Sequence, residues 1–269
     1  MRSLRKGNIN MIKTLQDYIN KIEKITNGWG GYSTTTHPWF RGQSDEKWDL
    51  IPKIYRKNEK PEYEREMVRD FKLRASAYIE NSPKNDMEWL FLMQHYGMPT
   101  RLLDWTESYL IALFFSVVSL SQENSTVWII EPWSLNSEFF NCLSLPTSDD
   151  LYFNNYILHL DKQSIDDQRN IEGTFPIALR PNRNSPRIIA QKGTFTIHGK
   201  ERISINGYIT NKNVSTTKIK LEKIIIDGNY KKELLQQLFL AGVTHSTLFP
   251  ELEGLSNEIS CRYSRLFLG

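Results

Sequence analysis

The sequence predicts an α+β domain in which helices flank a mixed β-sheet. Several segments repeat apolar residues with helical spacing, and short apolar runs bounded by Gly, Pro or acidic residues indicate buried strands between them. The chain has 269 residues and is 39% hydrophobic, a globular composition with enough material for a large core. Neither an internal repeat nor a linker divides it, so residues 1–269 are expected to form one domain.

Six segments have the pattern of helices. The N-terminal helix is predicted over about residues 14–25, where one face carries Leu15, Tyr18, Ile19, Ile22 and Ile25. Asn85 or Asp86 is expected to cap the start of the third helix, and Gly97 with Pro99 to end it. The other five predicted helices are 61–80, 86–96, 107–120, 230–241 and a final one that begins at Pro250.

Six strands are predicted between these helices. The segment 187–197 is expected to be a strand interrupted at Gly193. A segment rich in Asn, Thr and Ser, 206–217, is expected to be an exposed loop. The predicted strands are 39–42, 101–105, 126–130, 175–179, 187–197 and 221–226.

Charge and cysteine content narrow the cellular setting. The net charge is +3, but residues 1–60 hold 12 Lys and Arg against 6 Asp and Glu. This basic section indicates either a phosphate-bearing partner or simply a solvated helix face. Cys142 and Cys261 are too few for a disulfide framework, and we find neither a signal peptide nor an apolar run long enough for a membrane span. A cytoplasmic protein without membrane contact is expected.

The densest group of polar residues beside apolar ones lies between positions 94 and 106. Gln94 and His95 end a predicted helix, Arg101 and Asp104 lie on a predicted buried strand, and Thr106 precedes the next helix. A charge close to a core must be paired or used, so these residues are candidates for a site. The alternatives are structural: Asp104 or Thr106 caps the following helix, Arg101 pairs with Asp104, and His95 is a satisfied structural histidine.

A second candidate is Arg41, at the end of a short predicted strand and followed by Gly42. A guanidinium group can bind a pyrophosphate through a planar pair of charge-assisted hydrogen bonds, and Gly42 places no side chain in the way. Alone, the same pattern also describes a surface arginine before a turn.

Several motifs follow one another in a fixed order. They are WFRGQ at 39–43, WDLIP at 48–52 with Arg56 after it, QHYGMPTRLLDWT at 94–106, RIIAQKGTFTIH at 187–198 and LFPELEGL at 248–255. This combination resembles the FRG domain family, over about residues 15–260. The order of separate motifs makes a chance match improbable.

The layout of that family is similar to that of ADP-ribosyltransferases with an Arg–Ser–Glu type triad, which implies a split β-sheet and NAD as co-substrate, without a metal. In those enzymes an Arg on the first strand binds the NAD phosphates, and Arg41 matches it. A second strand presents a hydroxyl residue ahead of a core helix, where this chain has Asp104, Trp105 and Thr106. The resemblance therefore implies that Thr106 contacts the nicotinamide ribose.

The third member of the triad departs from the pattern. Those transferases carry a Glu just before a strand that ends in Gly-Thr-x-Phe; this chain has Gly193-Thr194-Phe195, but Arg187 stands where the acid would fall. Glu251 and Glu253, spaced as Glu-x-Glu, become the candidates for the catalytic carboxylate. Alternatively, they only stabilise the first turn of the helix after Pro250.

The remaining site assignments follow from the same resemblance. Arg101 is expected to assist Arg41 at the diphosphate, and an aromatic side chain to stack on nicotinamide or else belong to the core. Gln94 and His95 are expected to bind substrate or to be structural. The residues assigned to NAD are Arg41, Gly42, Gln43, Arg101, Trp105, Gln191 and Phe195, and those assigned to catalysis are Asp104, Thr106, Glu251 and Glu253.

The leading functional hypothesis is an NAD-dependent ADP-ribosyltransferase that modifies a macromolecule, as a toxin or an anti-phage defence effector. The basic N-terminal section slightly favours nucleic acid over protein as the acceptor. Such an enzyme would harm its host, which makes a neutralising antitoxin a candidate partner. Two alternatives stay open: a metal-independent ribonuclease that uses His95, Arg101 and Asp104, and a non-catalytic module that binds a nucleotide or a partner protein.

Overall fold

The computed structural model describes residues 11–31, 37–140, 144–150, 156, 175–199, 201–210 and 218–264. Its strands are β1 (Trp39–Gln43), β2 (Leu102–Thr106), β3 (Ser125–Ile130), β4 (Ile177–Leu179), β5 (Gly193–Ile197) and β6 (Leu221–Ile226). Its helices are α1 (Leu15–Gly28), α2 (Glu64–Ala75), α3 (Asp86–His95), α4 (Tyr109–Val117), α5 (Pro132–Phe140), α6 (Pro186–Ala190), α7 (Ile205–Thr210), α8 (Lys231–Leu240), α9 (His245–Leu248) and α10 (Leu252–Arg262).

The six strands form one open sheet in the order β4-β5-β2-β1-β3-β6. This confirms the predicted α+β class. The prediction of a mixed sheet was wrong, because every pair of these strands is antiparallel. Parallel pairing is limited to two isolated bridges in the described chain, Ile12 with Ile226 and Thr147 with Arg180.

Both faces of the sheet are covered. Because side chains alternate along a strand, Phe40 of β1 and Leu102 of β2 share one face, which the Phe40–Thr106 pair aligns. On that face, α1, α4 and α8 pack over β1, β3 and β6, whereas α3 packs over β2 and β5. The opposite face buries a tryptophan-rich cluster that includes Trp39, Trp105 and Trp128. The helices on the first face therefore form two separate groups, with β1 and β2 at the boundary between them.

Helix α4 approaches strand β1 unusually closely at Gly42. A Cβ atom at this position would lie 1.9 Å from the carbonyl oxygen of Ala112 and 2.7 Å from the backbone nitrogen of Ser116. Both contacts are with the backbone of α4, which cannot move aside as a flexible side chain could. Gly42 therefore has a packing role, independent of any ligand.

We expect Gly42→Ala to lower the free energy of unfolding by about 1–3 kcal/mol, because overpacking forces the helix away from the sheet. Chemical denaturation would measure it. Gly28→Ala is the matched control, since a Cβ there meets no atom within 4 Å, and it should be neutral or slightly stabilising. Equal stability of the two variants would contradict the assigned role of Gly42.

The largest error in the predicted elements concerns 187–197. The first half of this segment is helix α6 rather than strand. Pro186 occupies the first turn, and its fixed φ favours a helix there although the β-branched Ile188 and Ile189 favour a strand. Lys192 then adopts a left-handed φ of 46°, and β5 begins at Gly193. Part of the predicted loop 206–217 is also helical, as α7, while 211–217 lie outside the described residues.

Glu258 joins the last two helices. Its carboxylate accepts hydrogen bonds from Thr244 Oγ1 at 2.6 Å, from the Ser246 backbone at 3.1 Å and from Arg262 at 2.8 Å. The hydroxyl of Ser246 is a further donor. Hydrogen bonds from Ser246 and Thr244 lower the pKa of Glu258 to about 2, which means that the ionised form is the one the fold binds.

The pH dependence of this stabilisation follows from the lowered pKa of Glu258. The contribution of Glu258 to stability is fully present above its ordinary pKa of 4.5 and is lost as the pH falls from there toward about 2. Glu258→Gln should lower the free energy of unfolding by about 1.5 kcal/mol at pH 7. The difference between the two proteins should shrink as denaturation is repeated at lower pH; a pH-independent difference would contradict the ionic role.

Candidate functional site

Strands β1 and β2 separate from each other just beyond one pair. Phe40 faces Thr106, the single residue pair that joins these two strands in the described sheet. Each strand is fully paired on its other side, β1 with β3 and β2 with β5 over five residue pairs each. Arg41 spans the opening, and its Nη1 donates to the backbone oxygen of Asp104 at 2.6 Å. The sheet is thus divided at its centre.

A pocket of about 320 Å³ lies at this opening, between the two groups of helices that pack on the sheet. Its volume falls within the range for small-molecule sites. Polar and charged side chains predominate, together with four aromatic ones at its wall. The lining residues are Phe40, Arg41, Gly42, Gln43, Ser44, Trp48, Arg56, Gln94, Asp104, Trp105, Thr106, Phe115, Arg187 and Gln191.

Asp104 is the single carboxylate among these lining residues. Its side chain is 54% exposed although it stands on a central strand. Oδ2 accepts a hydrogen bond from Gln94 Nε2 at 2.8 Å and lies 3.6 Å from Arg41 Nη1. Thr100 donates to the other end of the Gln94 amide at 2.6 Å, so the orientation of Gln94 is fixed. The Gln94–Thr106 run therefore holds one carboxylate in a defined position facing the pocket.

Three guanidinium groups line the pocket together with this carboxylate, from Arg41, Arg56 and Arg187. Burial lowers the pKa of Arg41, the charge of Asp104 opposes that effect, and the charge of Arg56 adds to it. Nε of Arg41 is buried without a hydrogen-bond partner among the described residues. The excess of positive charge and this unpaired donor favour binding of an anion.

Thr106 and Gln191 line the pocket next to each other. The Thr106 hydroxyl donates to the backbone oxygen of Gln191 at 2.7 Å and accepts from the Ser108 backbone at 3.1 Å. Gln191 Nε2 donates to the backbone oxygen of Leu248 at 3.2 Å. Thr106 thus orders the residues that lead into α4, close to the predicted capping role, and it also lines the pocket.

Arg101 does not line the pocket. It is only 6% exposed, and its guanidinium group donates to the Glu64 carboxylate at 2.9 and 3.1 Å and to the backbone oxygen of Tyr156 at 2.7 Å. Burial lowers the pKa of Arg101, but the hydrogen bonds and charge of Glu64 outweigh it and raise the pKa. The partner of Arg101 is therefore Glu64, neither Asp104 nor a pocket ligand.

Four other sequence-predicted residues also lie outside the lining. Phe195 is in the core against Phe91, with ring centroids 4.8 Å apart. Glu251 and Glu253 are exposed at the start of α10, the place that the helix-stabilising alternative predicts. His95 follows Gln94, and its backbone oxygen accepts a hydrogen bond from Arg187 of α6 at 3.4 Å. Burial and the charge of Arg187 lower its pKa, and the charge of Glu251 raises it.

Three predicted NAD contacts have structural partners as well as a place in the lining. Gln43 is buried and links Trp128, which donates to it at 2.9 Å, to the backbone of Asp49. Trp105 is almost completely buried and donates to Thr196 Oγ1 at 3.2 Å. Gly42 packs against α4. Their conformations are therefore set by the fold.

Six lining residues were not predicted as site residues: Phe40, Ser44, Trp48, Arg56, Phe115 and Arg187. Trp48 is 50% exposed, so its ring is accessible. Arg187 lies 4.6 Å from the ring centroid of Phe249 and donates to the backbone oxygen of His95 at 3.4 Å. Trp48 and Arg187 lie in the motifs WDLIP and RIIAQKGTFTIH, and Arg56 follows the first of these. Their place in or beside these motifs was the sequence signal that could have identified them as site residues.

Twelve of the fourteen lining residues lie between Phe40 and Phe115, on or near β1 and β2 in the sequence. Residues 36–125 match the FRG domain. The match covers a third of the chain, a shorter span than the resemblance over about 15–260 had indicated. It includes Arg41, Trp48, Asp104 and Thr106, whereas Arg187 and Gln191 lie beyond it. The FRG segment thus supplies most of the pocket, and α6 completes it.

Comparison with curated proteins and with solved structures found no match to the chain. Among the described helices, none combines the length and apolar character needed to cross a membrane. The described residues also contain no group of three His, Cys, Asp or Glu side chains placed to hold a metal ion. Cys261 is a free thiol, and Cys142 lies outside the described residues.

Proposed function

We propose that the pocket between β1 and β2 binds NAD and transfers its ADP-ribose group to a macromolecule. One observation carries the proposal: three guanidinium groups and a single carboxylate converge at the opening of the sheet. A dinucleotide carries two phosphate charges next to a ribose that becomes positive when nicotinamide leaves. The pocket offers groups of the right sign for both parts.

Arg41 is the main candidate for the diphosphate. Its Nη1 is engaged by the Asp104 backbone, which fixes the guanidinium plane, while the buried Nε is still without a partner in the described structure. A guanidinium group fixed in this way loses little conformational entropy when it binds a phosphate oxygen. Arg56 and Arg187, both in the lining, supply the remaining positive charge.

Asp104 takes the role of the catalytic carboxylate, for which the sequence had indicated Glu251 or Glu253. The bond from nicotinamide to the ribose carbon breaks with both electrons going to nicotinamide, and an acceptor nucleophile then bonds to that carbon and releases a proton. A carboxylate beside the ribose stabilises the cationic transition state between these events. Gln94 orients Asp104 for this role through its 2.8 Å hydrogen bond.

Trp48 is the aromatic residue best placed to stack on a ligand ring. It is half exposed and lines the pocket, whereas the earlier candidates Trp105 and Phe195 are fixed in the core. Stacking on an accessible indole face contributes about 1–3 kcal/mol per aromatic base. Trp48 therefore adds to binding while Asp104 and the arginines supply charge.

The experiment is incubation with NAD carrying a label in its adenylate part, with cell extract as the source of acceptor. Nicotinamide release is followed by chromatography, and label is measured separately in protein and nucleic acid. Arg41→Gln should weaken NAD binding by about tenfold, the value of a charged hydrogen bond. Arg74→Gln is the matched control, since Arg74 is an exposed arginine paired with Asp70 outside the pocket.

Two results would contradict the proposal. Absence of both nicotinamide release and transferred label would exclude a transferase and leave a binding module, if NAD still binds. Shortening of RNA without NAD would indicate a ribonuclease. The buried pair of Arg101 with Glu64 makes that second result unexpected, because it removes Arg101 from the proposed His95, Arg101 and Asp104 set.

A further inference from the structure

A second pocket, of about 450 Å³, lies at the end of the β1–β2 pair opposite the opening. It is lined by His37, Glu107, Arg180, Pro181, Arg183, Gly193 and Thr194. Gly193 pairs with Thr106 of the first pocket, so the two pockets adjoin the same end of β2 and β5. Neither the matched FRG domain nor the proposed transfer reaction assigns a role to this second pocket.

The second pocket has an excess of positive charge. Glu107 is its carboxylate, with a side chain only 12% exposed, and Arg183 donates to it at 2.6 Å. His37 lies 3.2 Å from Glu107, and Arg180 lies 3.9 Å away, beyond hydrogen-bond distance. A single carboxylate therefore faces two guanidinium groups, of which one has no short contact with it.

Two buried polar atoms at this pocket have no hydrogen-bond partner among the described residues. They are the Thr194 hydroxyl, on a residue that is 1% exposed, and Nε of Arg180. Burial of a polar group without a hydrogen-bond partner is unfavourable, so each such group requires a physical explanation. Both atoms can donate, and both belong to residues that line one cavity.

We propose that the second pocket binds a phosphate group, held by Arg180, Arg183 and the Thr194 hydroxyl. A tetrahedral anion with several acceptor oxygens suits donors that come from a strand and from a separate loop, and a guanidinium group is well matched to phosphate. The bound oxygen atoms would satisfy the two unpaired donors. Phosphate binding here does not depend on the reaction proposed for the first pocket.

The source of that phosphate is assigned to a single-stranded nucleic acid. Gln191 lines the first pocket and Gly193 the second, while Arg183 and Arg187 place positive charge at both along one short segment. A polyanion with regularly spaced phosphates can contact both sites at once, which a single small phosphate cannot. This assignment rests on the proposed transferase function, since it makes nucleic acid the acceptor.

The test measures fluorescence anisotropy of a short labelled single-stranded RNA with the full chain, without NAD. Arg183→Gln should weaken binding by about tenfold and reduce the salt dependence by about one counterion. Thr194→Val should weaken it by several-fold without lowering the melting temperature, because it removes an unpaired hydroxyl from a buried site. Glu107→Gln should tighten binding by several-fold, since it removes the opposing charge.

The control is again Arg74→Gln, which should bind RNA as the native protein does. Inorganic phosphate should compete with the RNA, and acetate at equal ionic strength should not. If inorganic phosphate binds the native protein but not Arg183→Gln or Thr194→Val, and the RNA does not bind, the phosphate site is supported and the nucleic-acid source is overturned. Native binding by both Arg183→Gln and Thr194→Val, or equal competition by acetate, would overturn the site.

Failure of this proposal is separable from failure of the transferase. Asp104→Asn leaves the donors of the second pocket in place and removes a negative charge from the first, so it should bind RNA at least as tightly as the native protein even when nicotinamide release falls by about 10²- to 10³-fold. Conversely, Thr194→Val should keep nicotinamide release from NAD while its RNA binding and its label transfer to RNA fall by several-fold. A protein that binds RNA but never consumes NAD would retain the phosphate site and refute the reaction.

Discussion

Asp104→Asn should lower the rate of nicotinamide release from NAD by about 10²- to 10³-fold, the usual loss when one electrostatic group at a developing charge is removed. Asn keeps the size of the side chain and an oxygen that can accept from Gln94 Nε2, so the 2.8 Å contact persists. What it removes is the negative charge proposed to lie beside the ribose, and the attraction to Arg41. The effect should therefore appear in the turnover rate more than in NAD affinity.

The measurement is single-turnover nicotinamide release at saturating NAD, together with NAD affinity from titration. Asp70→Asn is the matched control, because Asp70 is an exposed aspartate that pairs with Arg74 at 2.9 Å outside the pocket. A rate within twofold of the native enzyme would remove Asp104 from the reaction. If Glu251→Gln or Glu253→Gln then lowered the rate, the carboxylate would belong to the start of α10.

Glu64→Ala should lower the free energy of unfolding by about 3–5 kcal/mol, the cost of leaving one charge of a buried ion pair without its partner. Arg101 is 6% exposed and receives its only carboxylate contact in the described structure from Glu64. A guanidinium group does not escape this cost by losing its proton. Tyr156 offers Arg101 one backbone oxygen, which cannot neutralise the charge.

Chemical denaturation of Glu64→Ala, and of the double variant Glu64→Leu with Arg101→Met, would test this. The double variant should recover most of the lost stability, since replacing both charges by apolar groups is often neutral. It should also keep nicotinamide release, because Arg101 does not line the pocket proposed for NAD. A loss below about 1 kcal/mol for Glu64→Ala, typical of an exposed pair, would contradict a buried ion pair.

The positions of most elements could be predicted because their sequence signals are local. The Asn85 side chain caps α3 by accepting a hydrogen bond from the Glu88 backbone, and α8 ends at Leu240, close to the predicted end at residue 241. The prediction failed at 187–190, where β-branched residues favour a strand but Pro186 initiates a helix. Strand direction was not predictable, because antiparallel pairing depends on which strands meet in space.

The site was predictable only in part, and Arg101 shows why. In the sequence, Arg101 and Asp104 look equivalent, two charges on one short apolar run. In the structure, Asp104 is 54% exposed toward the pocket, whereas Arg101 reaches Glu64, 37 residues earlier in the chain. Burial and ion-pair partners are determined by long-range packing, so no local pattern distinguishes a ligand-binding charge from a structural one.

The sequence by itself determined the α+β class, the capped helices, and the motifs that place Arg41 and Asp104 on short strands. These depend on propensity, periodicity and capping, which act over a few residues. Only the tertiary structure decided that β1 and β2 separate beyond Phe40 and Thr106, that Asp104 rather than Glu253 is the carboxylate in the opening, and that Arg187 joins it from α6. Those outcomes follow from strand pairing and helix packing, which bring together residues far apart in the chain.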